Sequence, residues 1–400
     1  MLISKSLKVP NFLGIFLLNK NSNVVKYNYI YKHMFMNIKH DYKQNINNEL
    51  RRKMPINLKG RSLDSALNFT TEEVRYLLDL SKNLKKSKEQ GLHTNNRPLT
   101  GKNIAIMFQK DSTRTRCAFE VAAFDLGAGC TYIGPAGSNF GKKESIEDTA
   151  KVLGRFYDGI EFRGFKQSDV DALVKYSGVP VWNGLTDAEH PTQMLADYMT
   201  MEEHLGNMKG KKVVFSGDIK NNVARSIMIG GAFVGAHVVL CGPEEMFDLI
   251  KNGEGYKEVF DKTQELFARN GGSVSFSSNK LEAAKNADVI YTDVWVSLGE
   301  DFSLFGPRIE QLKDFQVDMK MIKAANEDVV FLHCLPAFHD DHTLFSSEIK
   351  EKFGKQYPEV ATGAMEVTDE VFQSKHNKAF DQAENRMHTI KAVILATIGY

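Results

Sequence analysis

From residue 54 onward, short apolar runs alternate with stretches in which apolar residues recur at helical spacing. That rhythm predicts parallel strands covered by helices. Thr70–Lys88 reads as a helix, with Thr70 and Thr71 able to cap, Glu72 and Glu73 in the first turn, and Val74, Leu77 and Leu78 on one face. Strands are expected at Asn103–Phe108, Thr131–Ile133, Gly159–Phe162 and in "VPVWNGL", and a helix begins at "HPTQMLADYMTMEEHL". Near Lys209 the rhythm restarts. "KKVVFSGD", "AHVVLCGP", "GGSVSFSS", "ADVIYTDVWV" and "EDVVFLHCLP" read as five further strands, and "NRMHTIKAVILATIGY" as a closing helix. The expected class is α/β, with two domains, each a parallel sheet flanked by helices. The expected bounds are an extension over 1–53, a first domain over 54–204, a second over 205–375, and a C-terminal helix over 376–400 that packs back on the first.

Length agrees with that division, since 400 residues at roughly 150 per domain make two domains or three. Composition is that of a globular chain, which excludes collagen-like, coiled-coil and disordered classes. Lys and Arg number 51 against 50 Asp and Glu, so no global basic field calls for nucleic acid. No apolar stretch is long enough to predict a membrane span. The four cysteines, Cys117, Cys130, Cys241 and Cys334, lack the spacing of a disulfide framework or a zinc site. Reduced thiols and a cytoplasmic location are expected.

The balanced charge conceals an asymmetric head. Residues 1–53 carry a net charge of +8 and no Ala, leaving −7 for the remainder. Three readings stand for this head: a tail or unused upstream start before Met54, a transit peptide implying a mitochondrial location, and a secretory signal. It is Lys-rich rather than Arg-rich, its apolar run Phe12–Leu18 is short, and no small-residue cleavage site follows.

Candidate chemistry lies at strand ends. "KDSTRTRCAFE" (110–120) falls between a strand and a helix, where backbone N–H groups, hydroxyls and guanidinium forks can hold an anion; a capped, solvated helix start would look the same. "HPTQ" (190–193) puts His190 on a rigid turn, and Gln193 can meet an amide with one donor and one acceptor. "HCLP" (333–336) places Cys334 at the carboxyl end of a strand, where ligands gather in open parallel sheets, although a lone Cys is commonly an inert buried group. "GDIKNN" (217–222) and "TDVWVSLGE" (292–300) end strands in the same way, or are ordinary turns.

In this order the motifs resemble the transcarbamoylase family from Met54 to Tyr400. "STRTR" and "HPTQ" resemble the family at large, and "TDVWVSLG" and "HCLP" resemble its ornithine branch; "GSNFGKKES", "FRG" and "AENRMH" also fall where the family has counterparts. The resemblance implies transfer of the carbamoyl group of carbamoyl phosphate to L-ornithine, without metal or organic cofactor. It implies that Ser112, Thr113, Arg114 and Thr115 hold the phosphate. Arg163, His190 and Gln193 would complete that site. Asn222, Asp293, Ser297 and the backbone at Leu298 would hold the ornithine α-amino and α-carboxylate groups. Cys334, Leu335 and Arg386 would close the reaction centre. It implies a homotrimer in which Asn139 reaches a neighbour's site. The chain departs from the family at Asn139, which stands for the usual Gln, and at Leu298, which stands for the usual Met. Other readings are a carbamoyltransferase for another amine such as putrescine, a pseudoenzyme kept for binding, and a covalent route through Cys334.

Overall fold

The computed structural model describes residues 56–136, 140–141, 143–297 and 300–399, and all that follows concerns these. The readings of the head, of Asn139 and of Leu298 fall outside them.

Nine strands form two sheets, every neighbouring pair parallel. The first has the order β2-β1-β3-β4, with β1 Asn103–Phe108, β2 Gly129–Ile133, β3 Gly159–Arg163 and β4 Val181–Leu185. The second has the order β7-β6-β5-β8-β9, with β5 Lys212–Ser216, β6 His237–Cys241, β7 Ser273–Ser277, β8 Val289–Thr292 and β9 Val330–His333. The central strands are continuous apolar runs because helices cover both of their faces. Ile104, Ile106, Val213, Val214, Val289 and Ile290 are fully buried.

Local signals set the helix starts. Thr70 and Glu73 form a capping box at the head of Thr71–Glu89. Ser112 caps Thr113–Leu126 through the N–H of Thr115. Pro191 occupies the first turn of Pro191–Leu205.

The C-terminal helix Ala379–Ile394 begins earlier than its apolar pattern suggests. It packs against Thr71–Glu89, Thr113–Leu126 and Pro191–Leu205, so it returns to the first sheet's side. Polar groups take part in that packing. Lys391, only 2% exposed, is ion-paired with buried Asp125, which also accepts from Lys88 at 2.7 Å. Burial and the neighbouring Lys391 push His388 down to about 3, so its imidazole is neutral.

Removing one partner of a buried pair strands the other. Lys391→Ala is therefore expected to destabilise the fold by about 2–3 kcal/mol, less than a full orphaning because Lys88 remains. Urea unfolding of both proteins checks this, and an unchanged midpoint would show that the pair contributes nothing.

Candidate active site

A cleft opens beyond the carboxyl ends of strands from both sheets, as the parallel topology requires. The first sheet supplies Lys110, Ser112 and Arg114 after β1, Arg163 at the end of β3, and Leu185, Asp187 and His190 from β4 and its loop. The second supplies Asn222 and Val223 after β5, Asp293, Val294 and Ser297 after β8, and Cys334, Leu335 and Pro336 after β9. Arg386 enters from the C-terminal helix.

The first half of the cleft is cationic. Arg386 donates to the buried Thr115 hydroxyl at 3.0 Å and Arg163 to the same oxygen at 3.4 Å. Among the described residues none of Arg114, Arg163 and Arg386 pairs with a carboxylate, and the Nε atoms of Arg163 and Arg386 have no partner. Glu161, fully buried on β3, does not neutralise them. Burial holds its carboxyl well above the usual range despite the nearby arginines, and neither oxygen is hydrogen-bonded. Burial together with Arg163 pushes Arg386 down to about 10, which still leaves it charged at neutral pH. The N-terminus of Thr113–Leu126 adds its dipole to these cations. Such an assembly is built for an anion with several oxygens.

His190 is buried, and its ring does not cap the helix that it precedes. Burial, Arg386 and Arg163 all hold it well below the ordinary imidazole value. It is a neutral imidazole, able to donate one N–H to a carbonyl oxygen.

The second half centres on Asp293. Its Oδ1 accepts from the Cys334 thiol at 3.1 Å and its Oδ2 from Asn221 at 3.2 Å. Burial raises the Asp293 carboxyl above its usual range. Cys334 is raised well above the ordinary thiol value by burial and by Asp293, so it is a thiol and not a thiolate. The adjacent His333 is not free to serve as base for a covalent route. Nδ1 of His333 accepts the Leu335 N–H at 3.0 Å, while its Nε2 faces Glu366 at 3.1 Å. Ligand atoms of Asp293, His333 and Cys334 lie close enough together for a metal, but both His333 nitrogens are already engaged.

Ten of the residues expected from sequence line this cleft: Ser112, Arg114, Arg163, His190, Asn222, Asp293, Ser297, Cys334, Leu335 and Arg386. Thr115 lies behind them, bonded to two of the arginines. Thr113 and Gln193 are not on its wall. Gln193 differs from expectation in a second respect, because its nitrogen already donates one N–H to Asp197 at 2.7 Å while its oxygen has no partner. Asn221, Lys110 and Asp187 were not anticipated. Lys110 and Asp187 form an ion pair of 2.8 Å on the wall. Asn221 doubles as the cap of Asn222–Val234, the ordinary explanation for an Asn there, so its bond to Asp293 carried no sequence signal.

A larger cavity of about 560 Å³ lies elsewhere on the first sheet, against Met107, Phe108, Phe140 and Phe162. It is walled mainly by apolar groups, and in a still larger one of about 750 Å³ the cations Arg75 and Lys82 are already paired with Glu202.

Comparison with known proteins agrees with this division of the cleft. The carbamoyl-P binding domain of aspartate/ornithine carbamoyltransferase matches residues 61–203, and the Asp/Orn binding domain matches residues 209–397. The chain belongs to the aspartate/ornithine carbamoyltransferase family. A Mycoplasma pneumoniae relative named "Ornithine carbamoyltransferase, catabolic" is 77% identical over 347 residues, covering 87% of this chain and 100% of the relative. A protein of the same name from Bacillus licheniformis is 54% identical, covering 86% and 98%. Among solved structures, ornithine carbamoyltransferase from Pyrococcus furiosus is similar at a TM-score of 0.74 and 39% identity, covering 86% of this chain and 99% of that one. Within the family fold, Arg114, Arg163 and His190 come from the carbamoyl-phosphate domain, and Asp293, Cys334 and Arg386 from the region matched by the amino-acid domain.

Proposed function

We propose that this carbamoyltransferase acts on L-ornithine, converting it with carbamoyl phosphate to L-citrulline and phosphate by direct attack in a ternary complex. One observation carries the reading: three guanidinium groups without carboxylate partners face a buried Asp293 across one cleft. Arg114, Arg163, Arg386 and the Ser112–Thr115 turn hold the phosphate. His190, as a neutral donor, and Arg114 stabilise charge developing on the carbonyl oxygen. Gln193, buried three residues after His190 and off the cleft wall, turns its unpartnered oxygen to the carbamoyl amide when the substrate binds. Asp293 takes the α-ammonium of ornithine, while Asn222, Ser297 and the backbone at Leu298 take its carboxylate. Holding both small substrates side by side removes much of the entropic barrier. The protonated Cys334 closes the site without acting as nucleophile. The active form is a cytoplasmic homotrimer, with Asn139 completing a neighbour's phosphate site. The name shared by its relatives supports a catabolic direction, in which citrulline and phosphate yield carbamoyl phosphate.

The charge states fix a pH dependence. Only the free δ-amine attacks, so citrulline formation is expected to rise from about pH 6 to about pH 9. His190 is already neutral throughout and contributes no limb. His190→Gln is therefore expected to lower kcat without changing the shape of the profile, measured as initial rates of citrulline formation. A limb that disappeared in this variant would assign the titration to His190, and absence of citrulline from the wild type would end the proposal.

A further inference from the structure

Beneath the cleft, Asp197 is fully buried on the helix Pro191–Leu205, one turn after Gln193. Three donors converge on its Oδ1: Gln193 Nε2 at 2.7 Å, Gln382 Nε2 at 2.6 Å and the Tyr291 hydroxyl at 3.3 Å. Gln382 cannot reverse its amide, because its oxygen accepts the backbone N–H of His333 at 3.0 Å. Tyr291 lies two residues before Asp293, His333 directly before Cys334, and Gln382 one turn before Arg386. One carboxylate thus ties the "HPTQ" helix to both substrate-binding strand ends and to the C-terminal helix.

We infer that Asp197 is a positioning residue that fixes the direction of the Gln193 amide, so that Gln193 offers an acceptor and not a donor to the carbamoyl group. The inference rests on the function proposed above. A side-chain amide can turn end for end at little intrinsic cost, and the two orientations present opposite hydrogen-bonding faces. Gln193 is 1% exposed, its nitrogen is turned to Asp197 through one N–H, and its oxygen has no partner among the described residues. A buried acceptor without a partner is costly until a donor arrives. Of the groups in carbamoyl phosphate, only the carbamoyl NH₂ donates. The reversed amide would turn NH₂ against NH₂ and leave Asp197 facing an oxygen. Burial raises Asp197 to about 7. All three donors lie on Oδ1, so a proton taken up goes to Oδ2 and the amide keeps its direction.

Acetyl phosphate separates positioning from general support, because it carries a methyl group where carbamoyl phosphate carries NH₂. Asp197→Ala is expected to raise the KM for carbamoyl phosphate about tenfold, while the inhibition constant of acetyl phosphate stays within about twofold. Asp197→Asn keeps an acceptor oxygen and is expected to stay within about threefold for carbamoyl phosphate. In a Gln193→Ala background, neither substitution should change the ratio of the two constants further. A parallel weakening of both ligands, or an equal further loss in the Gln193→Ala background, would overturn the inference. If Asp197→Ala does not fold, Asp197→Leu, close in shape to Asp and likewise without an acceptor, decides by the same criterion in both backgrounds. Unchanged constants with an active wild type remove the role of Asp197 alone, whereas a wild type that forms no citrulline removes the function on which it rests.

Discussion

Arg114→Ala is expected to lower kcat/KM for carbamoyl phosphate by about a thousandfold, with kcat and KM both affected. Arg114 lines the cleft from the first turn of the helix Thr113–Leu126, where the dipole and the guanidinium add. Arg163 and Arg386 remain in the variant and still attract the phosphate, so binding weakens without vanishing. The larger loss falls on kcat, because Arg114 would meet charge both on the carbonyl oxygen and on the departing phosphate. Among the described residues the Arg114 side chain makes no hydrogen bond or ion pair, so its truncation is expected to leave the fold intact. Arg114→Lys keeps the charge without the planar fork and should recover only part of the rate. Steady-state kinetics with thermal unfolding as a control checks this. Near-normal kinetics in the Ala variant would remove Arg114 from the phosphate site.

Asp293→Asn is expected to raise the KM for ornithine by about thirtyfold or more while changing that for carbamoyl phosphate about twofold at most. The substitution keeps shape but loses the charge that would meet an α-ammonium. It also turns one acceptor into a donor, and both Asp293 oxygens already face donors, the Cys334 thiol and the Asn221 amide. One of those groups must therefore lose its partner. Putrescine keeps the corresponding ammonium and lacks only the α-carboxylate assigned to Asn222 and Ser297. Its kcat/KM should therefore fall as well, while binding of carbamoyl phosphate is spared. Initial rates with both amines test this, and an unchanged KM for ornithine would show that Asp293 does not hold the α-ammonium.

Seven of the nine strands were legible as buried apolar runs, whereas the edge strands β2 and β7 are partly exposed and mixed in polarity. Helix starts were legible where the cap is local, as at Thr70. The apolar pattern of the C-terminal helix begins only after Asn385, although the helix starts at Ala379. Its first turns carry Gln382 and Asn385, which are fully buried through hydrogen bonds and not through apolar contact. An apolar pattern cannot reveal a polar interior.

The same distinction runs through the site. "STRTR", "HPTQ" and "HCLP" each sit within one turn or strand end, so their chemistry could be read as contiguous text. Asp197 and Gln382 meet across 185 residues, and Arg386 and Thr115 across 271, so only the fold brings them together. Gln193 was recognised as an amide binder, but which end of its amide is free depends on Asp197. Glu161 gave no signal either, being one acidic residue in a strand whose burial leaves three arginines uncompensated.

The central claim is that one cleft joins a phosphate grip to a carboxylate selecting an α-amino acid with a terminal amine. The most direct test supplies carbamoyl phosphate with ornithine, putrescine or aspartate as acceptor and follows phosphate release and carbamoylated product at mildly alkaline pH. Rapid citrulline formation with ornithine, weak turnover of putrescine and none of aspartate is the predicted result. Equal or faster carbamoylation of putrescine or aspartate would contradict it.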